Sequence, residues 1–204
     1  MTSSLTDSAA LRQHYGEVGR AASLKEMDRL DAHARRFIEL SPFLVMATAD
    51  ARGRCDASPK GDAPGFVEIL DDRTLLIPDR PGNNRVDSLV NIAANARIGL
   101  IFFLPGYRET LRVNGTARIS IEPELLEATV HAGKPPRSVI VVGVEEVFMH
   151  CGKALIRSRL WDPARHVAKG GFPSLARILA DQIEGMEEKA ADRLIENEYQ
   201  RELY

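Results

Sequence analysis

The chain has 204 residues, with 27 basic and 29 acidic side chains and a formal net charge of −2. That length suits one domain with helical decoration and a substantial core, and the balanced charge excludes the basic footprint of a nucleic-acid binder. Cys55 and Cys151 lie far apart without CxxC spacing, which fits a reducing compartment, and no apolar run is long enough to span a bilayer.

The N-terminal string "MTSSLTDSAALRQHYGEV" lacks the basic and apolar regions of a secretory signal, so a soluble, cytoplasmic protein is expected. Residues 1 to about 20 are polar and read as frayed chain. "SLKEMDRLDAHARRFIEL" reads as one or two helices, with Ser23 and Glu26 at capping-box spacing, and Pro42 ends the pattern. "FLVMATAD" and "RCDASP" read as the two strands of a hairpin around "ADARGR". "FVEIL" and "TLLIP" form two more, joined at Asp71-Asp72. A short helix is expected around 86–94, then a strand over "ARIGLIFFL".

"TLRVNGTARIS" alternates, with Leu111, Val113 and Gly115 on one face and Arg112 and Asn114 on the other. "EPELLEATV" reads as helix, "GKPPR" as loop and "SVIVVGVEEVFM" as strand. "KALIRSRLW", "SLARILADQI" and "KAADRLIENEYQREL" supply further helical stretches. Six or seven strands with connections too short for crossover helices predict an antiparallel sheet or barrel flanked by helices. The expected division is an N-terminal helical segment over 1–41, a β domain over 42–163 and a C-terminal helical extension over 164–204.

Between the strand "TLLIP" and the following helix lies "DRPGNNR". A helix start offers free backbone N–H groups, Gly82 permits close approach, Asn83 and Asn84 supply amides, and Arg80 and Arg85 supply guanidinium forks. The string suits an anion site, and it equally suits a capped, solvated turn. Lys60 in "SPKGD" suits a strand exit or a contact to a polar ligand. Arg112 and Asn114 suit a polar sheet face. His150 and Cys151 are adjacent but lack a second cluster, so no metal is expected. No Gly-x-Ser-x-Gly elbow, GxGxxG turn or Walker A loop is present.

Taken together, "FLVMATADARGRCDASPKGDAPGFV", "TLLIPDRPGNNRVDSLVNI", "RIGLIFFLPGYRETLRVNGTA" and "VEEVFMHCGKALIRSRLWDP" resemble the pyridoxamine 5′-phosphate oxidase-like flavin-binding proteins, over about residues 36–163. The resemblance is to the family's uncharacterised bacterial branch. It implies an antiparallel FMN-binding split β-barrel, mainly β with flanking helices, and a homodimer with FMN in two clefts at the subunit interface. By position Asn83, Asn84 and Arg85 replace the Ser-Arg-Lys that holds the FMN phosphate in the vitamin B6 enzymes, so one cation stands where two are usual. Arg80, Lys60 or a partner-chain residue could supply the other.

The resemblance also places Ser58 and Lys60 beside the flavin ring and ribityl chain, with Ile77 and Pro78 on the neighbouring strand. Thr110 and Arg112 fall on the long strand that reaches the cofactor, often from the second subunit, and Lys153, Arg157 and Trp161 fall in a block that closes the cleft. The Arg-Leu-His-type substrate segment of the vitamin B6 oxidases has no counterpart in "FMHCGKALIRS", although His150 remains. The implied function is that of an FMN-dependent oxidoreductase acting on an unidentified small molecule. A non-catalytic flavin-binding or sensing protein is the alternative, as is a split barrel using haem, with His150 as ligand, or a deazaflavin.

Overall fold

The structure, a computed structural model, describes residues 4–202. Seven strands lie between Phe43 and His150: β1 (Phe43–Ala49), β2 (Cys55–Gly61), β3 (Glu68–Ile69), β4 (Thr74–Asp79), β5 (Arg97–Phe103), β6 (Thr110–Ser120) and β7 (Ser138–His150). Helices α1 (Ser8–Tyr15), α2 (Arg20–Leu24) and α3 (Ala32–Leu40) precede them, and α4 (Asp87–Ala94) and α5 (Pro123–Ala128) interrupt them. Helices α6 (Lys153–Ser158), α7 (Leu175–Gln182) and α8 (Glu188–Glu202) follow.

All pairings in the sheet are antiparallel, and the strand order is β2-β1-β5-β6-β7-β4-β3. Alternation decides which face is buried. Leu44 and Met46 in β1, Leu100 and Phe102 in β5, and Leu111 and Val113 in β6 are almost wholly buried, while Val45, Ile101 and Arg112 between them face outward. This matches the facing expected for Leu111, Val113 and Gly115 against Arg112 and Asn114. One core cluster receives these side chains together with Leu75, Ile77, Ile140 and Val142. Phe37 and Ile38 of α3 and Ile92 of α4 join it.

The ladder remains open, with β2 and β3 as its edges. The sheet nevertheless curls until the ends of β2 and β4 meet. Lys60 of β2 reaches Asp79 of β4 at 3.3 Å, and Arg80 just beyond β4 reaches Asp62 just beyond β2 at 2.9 Å. Four strands separate β2 from β4 in the ladder, so these side chains bridge the split between two strands that do not pair. The prolines Pro59 and Pro78 flank that split, where a missing backbone N–H disrupts least.

Strand β7 is shared. Ser138 to Gly143 pairs with β4, and further along the backbone of Val147 exchanges hydrogen bonds with Met27, which takes the place of β4 beside the lower half. A bulge in the β6–β7 ladder between Asn114 and Gly115 leaves Glu145 unpaired in register. There the backbones approach so closely that a Cβ on Gly115 would lie 1.9 Å from the Gly143 carbonyl oxygen.

Two N-terminal expectations need correction. The polar start of the chain contains α1, because Asp7 accepts a hydrogen bond from the Ala10 N–H and so caps it, although no residue of that helix is buried. Ser23 lies inside α2, and the cap that starts the helix packed on the core is Asp31, whose carboxylate accepts from the Ala34 N–H. Ser23 and Glu26 have the right spacing, but the apolar stripe that needs covering begins eight residues later, at Ala34, Phe37 and Ile38.

Candidate functional site

A cavity of about 640 Å³ opens at the split. Its floor is the outer edge of β2 from Asp56 to Gly61, and its far wall is formed by Pro78, Asp79 and the loop from Arg80 to Val86. The start of α4 and the pair Arg137-Ser138 at the entry to β7 close the ends. Beyond Leu76, β4 has no partner on the β3 side, so two unpaired strand edges face the cavity. Phe66, Pro59 and Leu89 supply apolar surface. The volume lies inside the range of about 300–1,000 Å³ for small-molecule sites.

Polar groups concentrate at the end formed by the 80–86 loop. Arg85 pairs with Asp87 in the first turn of α4 at 2.8 Å, and its backbone N–H donates to the Asn83 side chain. Asn84 and Val86 both adopt left-handed backbone conformations, with φ of 56° and 51°. Asn tolerates this conformation, whereas a β-branched valine does so at a cost of about 1–3 kcal/mol that the surrounding loop must hold in place. The Asn84 amide oxygen accepts a 2.6 Å hydrogen bond from Arg137. Ser88 donates to Asp56 at 2.9 Å, tying α4 to β2. Behind it, the buried Asn91 donates to Thr48 at 3.1 Å.

Of the residues singled out from the sequence, Ser58, Lys60, Pro78, Arg80, Asn83, Asn84 and Arg85 line this cavity. Ile77 is adjacent in sequence, but its side chain is fully buried in the core, so only its backbone can serve the cleft. The remaining five lie elsewhere on this chain. Thr110 is buried and pairs with His150, and Arg112 stands 5.1 Å above the Phe148 ring. Lys153 and Arg157 are exposed on α6, and the Trp161 indole donates to the Tyr107 carbonyl at 2.7 Å. Together they form a ridge at the end of β6 and β7.

The ridge is electropositive. Lys25 also stands 5.1 Å from the Phe148 ring while donating to the Met149 carbonyl. Partial burial, then the charges of Lys25 and Arg112, push the His150 imidazole pKa below its ordinary value. His150 is not among the cavity-lining residues, so the histidine considered as a haem ligand does not face this cleft from its own chain. No group of three or more potential metal ligands occurs among the described residues.

Sequence reading missed Arg137, Asp79, Asp62 and Asp56. The loop string "GKPPRS" gives no sign that Arg137 will lie opposite "NNR", because that meeting depends on the pairing of Ser138 with Asp79 across β4 and β7.

The structure is that of an antiparallel β protein whose open sheet carries a cleft at its split. The model of the pyridoxamine 5′-phosphate oxidase family matches residues 30–151, and the chain belongs to that family. Among solved structures it is similar to HupZ of Group A Streptococcus, with 23% identity over 59% of this chain and 93% of that one and a TM-score of 0.49. It is also similar to a putative pyridoxamine 5′-phosphate oxidase from Lactobacillus delbrueckii, at 21% identity over 61% and 99% of the two chains and a TM-score of 0.48. A third is an FMN-binding protein from Syntrophomonas wolfei, at 15% identity over 57% and 82% and a TM-score of 0.44. No curated protein matches. Among the described residues, no helix is long and apolar enough to cross a membrane.

Proposed function

We propose that the cleft binds FMN and that the protein is an FMN-dependent oxidoreductase acting on a small molecule. The observation that carries this reading is the cleft itself: a cavity of about 640 Å³ inside the family-matched segment, with apolar surface along it and amides and guanidinium groups gathered at one end. The residues fit the group. An apolar ring system suits Phe66, Pro59 and Leu89, and a phosphate suits the 80–86 loop. When bound, FMN supplies the electron-accepting chemistry.

The chain's own residues would bind and orient it. Lys60, fixed by Asp79, offers ammonium N–H donors at the β2 wall for a polar ring edge. Ser58 lies beside it on the same strand, and the free backbone edges of β2 and β4 can donate and accept along a flat ligand. Asn83, Asn84 and Arg85 offer amide and guanidinium donors at the loop end.

One observation favours a flavin-binding protein without turnover. The cavity-lining carboxylates Asp56, Asp79 and Asp87 are all engaged, by Ser88, Lys60 and Arg85, so none stands free to move a proton.

A homodimeric split barrel completes the proposal. The outward face of β1 and β5 exposes Phe43 and Ile101, at 39% and 36%, in a patch with Phe103, whose ring centroid lies 6.0 Å from that of Phe43. Such a face suits a second copy, which would bring Thr110, Arg112, Lys153, Arg157 and Trp161 of one subunit toward the cleft of the other.

The test is the visible spectrum of the purified protein, mass analysis of any released chromophore, and titration of apo-protein with FMN. A yellow protein that releases FMN and rebinds it supports the reading, and an apo-protein that ignores FMN ends it. Turnover with a reductant and an acceptor separates the enzyme from the non-catalytic binder.

A further inference from the structure

Four cationic side chains line the cleft: Lys60, Arg80, Arg85 and Arg137. Three of them are held by carboxylates, with Lys60 on Asp79, Arg80 on Asp62 and Arg85 on Asp87. An anion approaching such a pair meets a positive and a negative charge at similar distances, and the net attraction is small. Arg137 differs. Its side-chain partner is the neutral amide oxygen of Asn84, and no ion pair involves it among the described residues.

Arg137 is also well placed. Its backbone N–H donates to the Asp79 carbonyl, and the next residue, Ser138, pairs with Asp79 across the β4–β7 ladder. The base of the side chain is therefore fixed to the strand that ends at the 80–86 loop. One bond to Asn84 leaves most of the guanidinium's five N–H donors available in their planar fork. Asn84, in its left-handed conformation, holds the fork over the loop at no cost in charge.

We propose that Arg137 is the principal cationic anchor for a phosphate monoester in this cleft, with Asn84 as its positioning residue and Arg85 in a lesser role. This rests on the FMN reading for the identity of the ligand, but not for the anion site itself. The Asn83-Asn84-Arg85 turn holds one cation, and a second charge beside it comes from the start of β7. The loop holds it through an amide.

The experiment compares wild type, Arg137→Ala, Arg137→Lys and Arg85→Ala. Flavin fluorescence measures FMN and riboflavin binding to each apo-protein, and inorganic phosphate is tested alone by its effect on the thermal midpoint. Arg137→Ala should weaken FMN by about ten- to a hundred-fold and leave riboflavin within about threefold, since only FMN carries the phosphate. Arg137→Lys should recover part of the loss, because charge returns without the fork. Arg85→Ala should cost FMN less than Arg137→Ala does. Phosphate should raise the thermal midpoint of wild type and not of Arg137→Ala.

Equal losses for both flavins in Arg137→Ala, or a larger selective loss in Arg85→Ala, would overturn the assignment. Arg137 is exposed, and an unchanged thermal midpoint of ligand-free Arg137→Ala checks that the fold is intact. If wild type ignores both flavins, the FMN proposal fails while the anion site is still decided by phosphate. A phosphate response that survives Arg137→Ala then counts against Arg137.

Discussion

The cleft between β2 and β4 and the ridge at the end of β6 and β7 use similar residues for different purposes. In the cleft, Lys60 and Arg80 sit against Asp79 and Asp62, with the Asp62 side chain only 2% exposed. These pairs hold two sheet ends together, and their charges are largely cancelled. On the ridge, Lys25 and Arg112 sit over the Phe148 ring, which attracts cations without neutralising them. Partial burial, and then the charges of Lys25 and Arg112, make His150 resist protonation. A cation's availability to a ligand thus depends on its seat, and the residue type says little about it.

The largest test of this contrast is to disturb the sheet that carries both regions. Gly115→Ala would drive a Cβ into the Gly143 carbonyl at the bulge between the two halves of the β6–β7 ladder. We expect a loss of about 3 kcal/mol or more in denaturant unfolding, with both regions affected together. A stable variant would show that the ladder there can open without consequence.

Next in size is the split. Arg80→Ala removes a guanidinium from the nearly inaccessible Asp62 carboxylate, and about 2 kcal/mol of stability should go with it. The double variant Arg80→Ala with Asp62→Asn should recover part of that loss. Failure to recover would mean that the pair is not what joins the sheet ends.

The ridge bears on the dimer. If a partner's Arg112 completes the cleft, Arg112→Ala should weaken FMN and riboflavin alike by roughly tenfold, without the phosphate selectivity expected of Arg137. Sedimentation across a dilution series should show flavin leaving as the dimer dissociates. A flavin-loaded monomer with full affinity would confine the site to one chain.

The smallest effect is a pH dependence. The folded His150 pKa lies below the ordinary value of 6.5, so the unfolded chain takes up the proton first as pH falls. Stability should therefore fall as pH drops from about 6.5 toward the lower folded value, and His150→Gln should flatten that part of the profile. Arg112→Met should move the His150 titration, followed by NMR, back toward the ordinary value. No movement would remove Arg112 as a cause.

Much of the fold was legible because the strands obey a period of two. β1, β5 and β6 each send alternate residues into one core, and short connections force antiparallel neighbours. The first helix was not legible, because α1 buries nothing and its only signal is the Asp7 cap. Half of the site followed from one hairpin strand and one turn, where neighbours in sequence stay neighbours in space. Arg137 could not be found that way. Its place opposite Asn84 is set by β4 pairing with β7, across more than fifty residues of intervening chain. Nor does "GNNR" reveal that Asp87 will draw Arg85 aside.

The open ladder has a mechanical consequence. The interior of the sheet is braced by backbone hydrogen bonds on both sides of each strand, but the split is spanned by side chains reaching from β2 to β4 and the loops that follow them. Widening the cleft to admit a flat ligand therefore breaks no ladder hydrogen bond between those strands. The split of this molecule is closed by charged side chains, so a substitution at Lys60 or Asp79 should loosen it while every ladder hydrogen bond behind it is kept.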